Sequence, residues 1–124
     1  MAKILLAEDE AVIRMLLTEL LVEDGHQVIE ASDGAEALAL LVPDITMIVS
    51  DMMMPRMGGE EWVTTARNRP GMEAVPVILM SALPLSPSAR SLSTAFLQKP
   101  FRPVSLAAAV RQILAGDANE AGGA

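Results

Sequence analysis

The sequence predicts an α/β domain: a doubly wound, five-stranded parallel sheet with helices on both faces. Three observations carry this reading. Strand-length apolar runs alternate with helix-length segments five times along the 124 residues, the pattern of successive βα units with right-handed crossovers. The run Ile45-Thr46-Met47-Ile48-Val49-Ser50 is nearly continuous in apolar residues, as expected of a parallel strand buried on both faces. That run ends on a single carboxylate, Asp51, and breaks at once into a loop holding Pro55, Gly58 and Gly59. In open α/β sheets chemistry collects just beyond the carboxyl ends of the strands, which makes Asp51 a candidate reactive group. Standing alone, it would fit equally well as a turn or helix cap.

The elements follow in order. Lys3 to Ala7 reads as a short first strand ending in the acidic cluster Glu8-Asp9-Glu10. Ala11 to Asp24 places Ile13, Leu16, Leu17, Leu20 and Leu21 at helical spacing, and Gly25 is a natural stop. Gln27 to Ala31 is a second strand. Ser32-Asp33-Gly34 turns into a short helix, Ala35 to Leu41, ended before Pro43. After the central strand, Gly58 to Asn68 is a third helix with Trp62 and Ala66 one turn apart, broken by Arg69-Pro70-Gly71. Val75 to Met80 is a fourth strand, with Pro76 tolerable near its start. The stretch from Leu83 to Ser93 holds Pro84, Pro87 and four serines, so any helix there is short, Ser88 to Leu92. Ala95 to Gln98 is the fifth strand, Lys99-Pro100 follows, and Val104 to Ala115 is an amphipathic helix with Leu106, Val110, Ile113 and Leu114 available to the core. Residues 1–116 form one domain on this reading, and 117–124 a flexible tail of small and polar residues.

Composition narrows the function. The chain is 52% hydrophobic but only 2% aromatic, so its core is aliphatic, with nine methionines as gap-fillers. No cysteine is present, which excludes disulfides and thiolate metal sites; a single histidine, His26, argues against a histidine metal centre or a Ser-His-Asp triad. A formal net charge of −7 argues against direct nucleic-acid binding. No apolar run reaches membrane-span length and the N-terminus lacks the shape of a signal peptide, so a cytoplasmic chain is expected.

In a parallel sheet of this kind Glu8-Asp9, Asp51, Ser81 and Lys99 all fall at the carboxyl ends of strands, along one edge. Carboxylates packed together repel unless a cation neutralises them. An all-oxygen cluster suits Mg²⁺. Taken alone, Glu8 and Asp9 would read as helix N-terminal acids favoured by the macrodipole.

The set as a whole resembles the receiver domain of two-component response regulators, from Lys3 to about Ala115. Its markers are Glu8-Asp9, Asp51 followed by Met54-Pro55 and Gly59, Ser81-Ala82, and Phe96-x-x-Lys99-Pro100. The resemblance implies the flavodoxin-like (βα)5 fold with strand order 2-1-3-4-5. It also implies that Asp51 is the nucleophile phosphorylated by a histidine kinase or phosphotransfer protein. Asp9, Asp51 and the Met53 carbonyl would hold Mg²⁺, with Glu8 acting through a water. Lys99 would pair with a phosphoryl oxygen and Ser81 would hydrogen-bond another. Phe96 corresponds to the family's switch aromatic, though a plain core phenylalanine fits that position equally well. Pro100 corresponds to the family's cis-proline.

Departures from the family pattern are specific. Glu8 replaces the aspartate often found first in the acidic pair. Met53 sets an apolar side chain beside the phosphoryl site, where it is expected to hinder the hydrolytic water. The interval from Ser81 to Lys99 is short and rich in proline and serine, which implies a truncated or irregular fourth helix and an unusual output face. The expectation is a stand-alone phosphoacceptor, a monomer or weak dimer that binds a downstream partner and touches neither membrane nor nucleic acid. A pseudo-receiver that is never phosphorylated is the main alternative. An aspartyl-nucleophile phosphohydrolase would want an aspartate where Met53 stands. A flavin-binding protein of similar topology would want a phosphate-cradling loop where Glu8-Asp9-Glu10 stands.

Overall fold

A computed structural model describes the backbone of residues 1–121 and the side chains of residues 1–116. Among the described residues the chain runs β1 (Lys3–Ala7), α1 (Ala11–Glu23), β2 (Gln27–Ala31), α2 (Gly34–Leu40), β3 (Met47–Asp51), α3 (Gly59–Arg67), β4 (Val77–Ser81), α4 (Pro87–Leu92), β5 (Ala95–Gln98) and α5 (Pro103–Ala121). The strands form one sheet in the order β2-β1-β3-β4-β5, every neighbouring pair parallel. This is the flavodoxin-like arrangement. Because the strand order reverses beside β1, the carboxyl ends of β1 and β3 flank a crevice.

Side chains alternate across the strands, so the sheet splits the interior into two cores. Leu5 and Ala7 of β1, Ile48 of β3, and Val77 and Leu79 of β4 face α2, α3 and α4, where Trp62, Val63, Ala66 and Ala89 meet them. Ile4, Leu6, Met47, Val49, Ile78 and Met80 face the other way, onto Leu17 and Leu21 of α1 and Leu106 and Val110 of α5. Each such aliphatic side chain contributes about 1.5–3 kcal/mol when fully buried. With so few aromatic residues, it is their number that stabilises the fold.

Several boundaries differ from expectation for physical reasons. β4 begins at Val77 rather than Val75, since Pro76 has no N–H to give; its carbonyl still accepts from Ile48. β3 begins at Met47 rather than Ile45. Leu16, expected on the buried stripe of α1, is 47% exposed. The stripe that reaches the sheet is Ile13, Leu17 and Leu21, at a spacing of four, and Leu16 faces a groove instead. α4 is short, as expected, with Pro87 opening its first turn and the Ser86 hydroxyl accepting from the Ala89 amide. Its far end is held by Arg67 of α3, whose guanidinium donates to the carbonyls of Val75 and Leu92. α5 does not stop at Ala115: the helix continues through Ala121, because Gly116 does not adopt the left-handed backbone that would cap it. The expected tail 117–124 is therefore helical in backbone over 117–121, and its last residues, 122–124, lie outside the described residues. Among the described residues no helix is long and apolar enough to cross a membrane.

At the opposite end of the sheet from Asp51, His26 is buried after Gly25, and its Nδ1 accepts the Ala2 N–H at 3.0 Å. Its Nε2 has no hydrogen-bond partner among the described residues. Protonation would place an N–H against an N–H. Burial pushes the imidazole below its ordinary value of 6.5, the N-terminal amine and Arg111 push the same way, and Asp24 opposes them. The unfolded chain then binds the extra proton first, so His26 contributes stability above pH 6.5 that is lost as pH falls through the folded value. Thermal melts from pH 7.5 to 5 should show a progressive fall in Tm for the wild type and a shallower one for His26→Asn.

Candidate functional site

The groups expected at the sheet edge do converge. Glu8 and Asp9 occupy the turn after β1, Asp51 ends β3, Ser81 ends β4 and Lys99 follows β5. Glu8 and Asp51 are buried while Asp9 is exposed, and one carboxylate oxygen from each lies within 4.8 Å of the others. Lys99 Nζ sits between two of them, 3.0 Å from Glu8 Oε1 and 3.1 Å from Asp51 Oδ2.

The backbone fixes each carboxylate. Asp51 Oδ1 accepts the Met52 amide at 2.9 Å, and Glu8 Oε2 accepts the Glu10 amide at 3.1 Å. Arg14, one turn into α1, donates to the Glu8 carbonyl at 2.7 Å and to Glu30 of β2 at 3.1 Å, steadying the acidic turn from behind. The Trp62 indole donates to Ser50 Oγ, which donates in turn to the Asp51 carbonyl, both at 2.8 Å. A Cβ at Gly59 would collide with that same carbonyl, so α3 can start this close to Asp51 only with glycine there. Sequence reasoning missed Arg14, Ser50 and Trp62 as parts of the site. Two of their bonds go to backbone carbonyls and the Trp62–Ser50 bond joins two elements, so no local spacing marks them.

The remaining expected residues are placed as follows. Ser81 is buried, and its oxygen accepts the Leu83 amide at 3.1 Å, leaving its own proton available. Met53 lies two residues beyond Asp51 and is 71% exposed. Phe96 is half-buried beside Leu79 and packs on the α3–α4 side of the sheet.

Three carboxylates against one ammonium leave the site short of positive charge. Burial raises the Asp51 carboxyl above the usual carboxylate range, Lys99 opposes that, and Asp9 reinforces it. Burial likewise raises Glu8, against its bonds from Glu10 and Lys99. Burial alone would lower the Lys99 ammonium, but its bond to Glu8 and the charges of Asp51 and Glu8 outweigh that and raise it. Hard oxygen donors that are costly to ionise together are the donor set that Mg²⁺ fits.

Residues 4–111 match the response regulator receiver domain. The chain belongs to the response regulator receiver family. It is 37% identical over 122 residues to the transcriptional regulatory protein CpxR of Escherichia coli strain K12, covering 92% of this chain and 50% of that protein. The chain thus spans about half the length of the curated relatives it matches. Among solved structures, the chemotaxis response regulator CheY4 of Vibrio cholerae aligns with a TM-score of 0.82 at 31% identity, covering 91% of this chain and 98% of that one. The response regulator TrrA of Thermotoga maritima, solved in complex with Mg²⁺ and BeF, aligns with a TM-score of 0.80 at 28% identity over 90% of this chain and 98% of that one. The chain is thus a receiver domain of a signalling family.

The receiver's charge imbalance has a measurable consequence. Folding holds a raised Asp51 carboxylate ionised at neutral pH, a cost that an asparagine avoids. Asp51→Asn should therefore stabilise the metal-free domain by about 1 kcal/mol, a few degrees in Tm, allowing for solvent screening at the mouth of the site. Added Mg²⁺ should raise the Tm of the wild type more than that of the variant.

Proposed function

We propose that Asp51 accepts the phosphoryl group in this receiver domain, from a histidine kinase or a histidine phosphotransfer protein. The observation that carries the reading is the placement of Lys99 Nζ within 3.1 Å of both Asp51 and Glu8 in a cluster of three carboxylates. An Asp51 Oδ attacks phosphorus as the bond from phosphorus to the donor's imidazole nitrogen breaks. The electron pair leaves with that nitrogen, and an acyl phosphate remains on Asp51. Asp9, Asp51 and the Met53 carbonyl would hold Mg²⁺, with Glu8 behind them. When bound, the ion offsets negative charge on the transferring group.

The chain's own groups do the rest. Lys99 exchanges its hold on the Asp51 carboxylate for a phosphoryl oxygen, keeping its charge because Glu8 still faces it. The Ser81 hydroxyl, with its oxygen already held by Leu83, has its proton to donate to a second oxygen. Drawing Ser81 toward the phosphoryl group loosens the β4–α4 turn, and Phe96, half-buried nearby, is the side chain placed to follow. Phosphorylation then acts by shifting a population between two arrangements. Slow hydrolysis of the acyl phosphate resets the domain, with Met53 at the rim limiting access of water.

An apolar groove of about 500 Å³ lies beside the carboxylates, lined by Ile13, Leu16 and Leu17 of α1 and by Phe101, with Glu10 and Lys99 at its edge. A donor protein bringing its phosphohistidine to Asp51 would cover this groove. The net charge of −7 fits a domain that works through proteins rather than on nucleic acid, and we read it as a cytoplasmic monomer or weak dimer.

Intact-mass spectrometry after incubation with a small phosphodonor should show one phosphoryl adduct that requires Mg²⁺ and is absent from Asp51→Asn. Steady phosphate release without an adduct would overturn the reading in favour of a hydrolase, and no adduct despite Mg²⁺ binding in favour of a pseudo-receiver. Leu16→Asp should slow transfer from a phosphohistidine protein about tenfold or more, the effect of losing roughly 1.4 kcal/mol of docking, while leaving phosphorylation by the small donor unchanged.

A further inference from the structure

The loop that leaves Asp51 is bolted to an element outside the carboxylate cluster. Asp33 caps α2, its Oδ1 accepting the Glu36 amide at 2.8 Å, and is itself buried. Its other oxygen, Oδ2, accepts from Arg56 Nε at 2.7 Å and pairs with Nη2 at 2.5 Å. Arg56 lies in the loop five residues after Asp51 and has φ +65°, a left-handed backbone that a side chain with a Cβ seldom adopts. Something must hold it there. Next to the ion pair, the Gly34 amide donates to the Met57 carbonyl at 2.9 Å. The approach is so close that a Cβ added at Gly34 would stand 2.5 Å from that oxygen. The loop's other end is closed by the Gly59 amide on the Met52 carbonyl at 3.0 Å. The segment between is thus pinned at both ends, and Arg56 is the charged pin.

We propose that the Asp33–Arg56 pair is a positioning latch for phosphoryl transfer, fixing the segment Met52–Met57, and with it the Met53 carbonyl, against the start of α2. The proposal rests on the reading of Asp51 as the phosphoacceptor. Neither residue touches the reacting atoms. The Glu36 amide and the Arg56 guanidinium hold the Asp33 carboxyl below the usual carboxylate range, so the latch stays charged through the neutral range.

The test is Mg²⁺ binding by titration calorimetry, together with hydrogen exchange of the segment Met52–Met57 in the metal-free chain. Asp33→Asn keeps an oxygen for the Glu36 amide but discharges the pair; Arg56→Ala discharges it from the other side. Each should weaken Mg²⁺ binding about two- to fivefold, the range a partly exposed ion pair commands, and speed exchange in the loop. Arg56→Lys should recover most of the loss, and the double variant should bind no more weakly than the weaker single one. A simple field effect predicts something else: losing a cation would tighten Mg²⁺ binding and losing an anion would weaken it. Opposite shifts in the two variants, additive losses in the double variant, or unchanged loop exchange would each overturn the latch. If the wild type itself binds no Mg²⁺, the metal-assisted reading of Asp51 fails. Loop exchange then decides the latch alone, faster exchange in both variants upholding it and unchanged exchange overturning it.

Discussion

The contact around which the candidate site is organised is Lys99 Nζ between Glu8 and Asp51. It joins the ends of β1, β3 and β5, whose residues lie up to 91 positions apart in sequence. Two buried carboxylates side by side would be prohibitive without it, and with it they remain only marginally compensated. The residual negative charge leaves the site in want of a cation. Stability is withheld at this edge and supplied by the two aliphatic cores beneath it. The cluster can therefore stay unsatisfied without unfolding the domain.

That division of labour follows from the parallel sheet. Alternate residues of the same strand feed opposite cores, so β3 is buried along its whole length, Asp51 included, and the strand ends at the edge of the sheet where the carboxylates meet. Asp51 is held by its own strand, by the Met52 amide, and through Ser50 by α3. A carboxylate fixed from three sides needs no long loop to hold it in place.

Much of this was legible in the chain. The βα alternation, the strand that ends on Asp51, and the acidic pair after the first strand placed the fold and the central cluster. Their signals are local, being periodicity and position at a strand end. The shortened α4 was readable from Pro84, Pro87 and the serines, although Arg67, which ties its far end down, was not. Helix and strand ends were less legible. Pro76 shifted the start of β4, and Gly116 stayed helical where glycine more often stops a helix. The stripe on α1 shows which residues are apolar but not which of them meet the sheet, and Leu16 faces the groove instead. Least legible were the supports, Arg14 behind Glu8, Asp33 with Arg56, and Trp62 with Ser50. Arg14 lies only six residues from Glu8 but holds a backbone carbonyl, which no residue pattern marks, and the other two pairs join separate elements and are created by the fold.

The last of these pairings gives the molecule a property unrelated to its chemistry. Trp62 is the chain's one tryptophan, fully buried, and its indole N–H is joined through a single hydroxyl to the carbonyl of the phosphoacceptor candidate. Indole emission responds to the hydrogen bond at that nitrogen and to nearby charge. The domain thus carries an internal optical probe, free of background from other tryptophans, wired to the backbone of the residue whose state matters most.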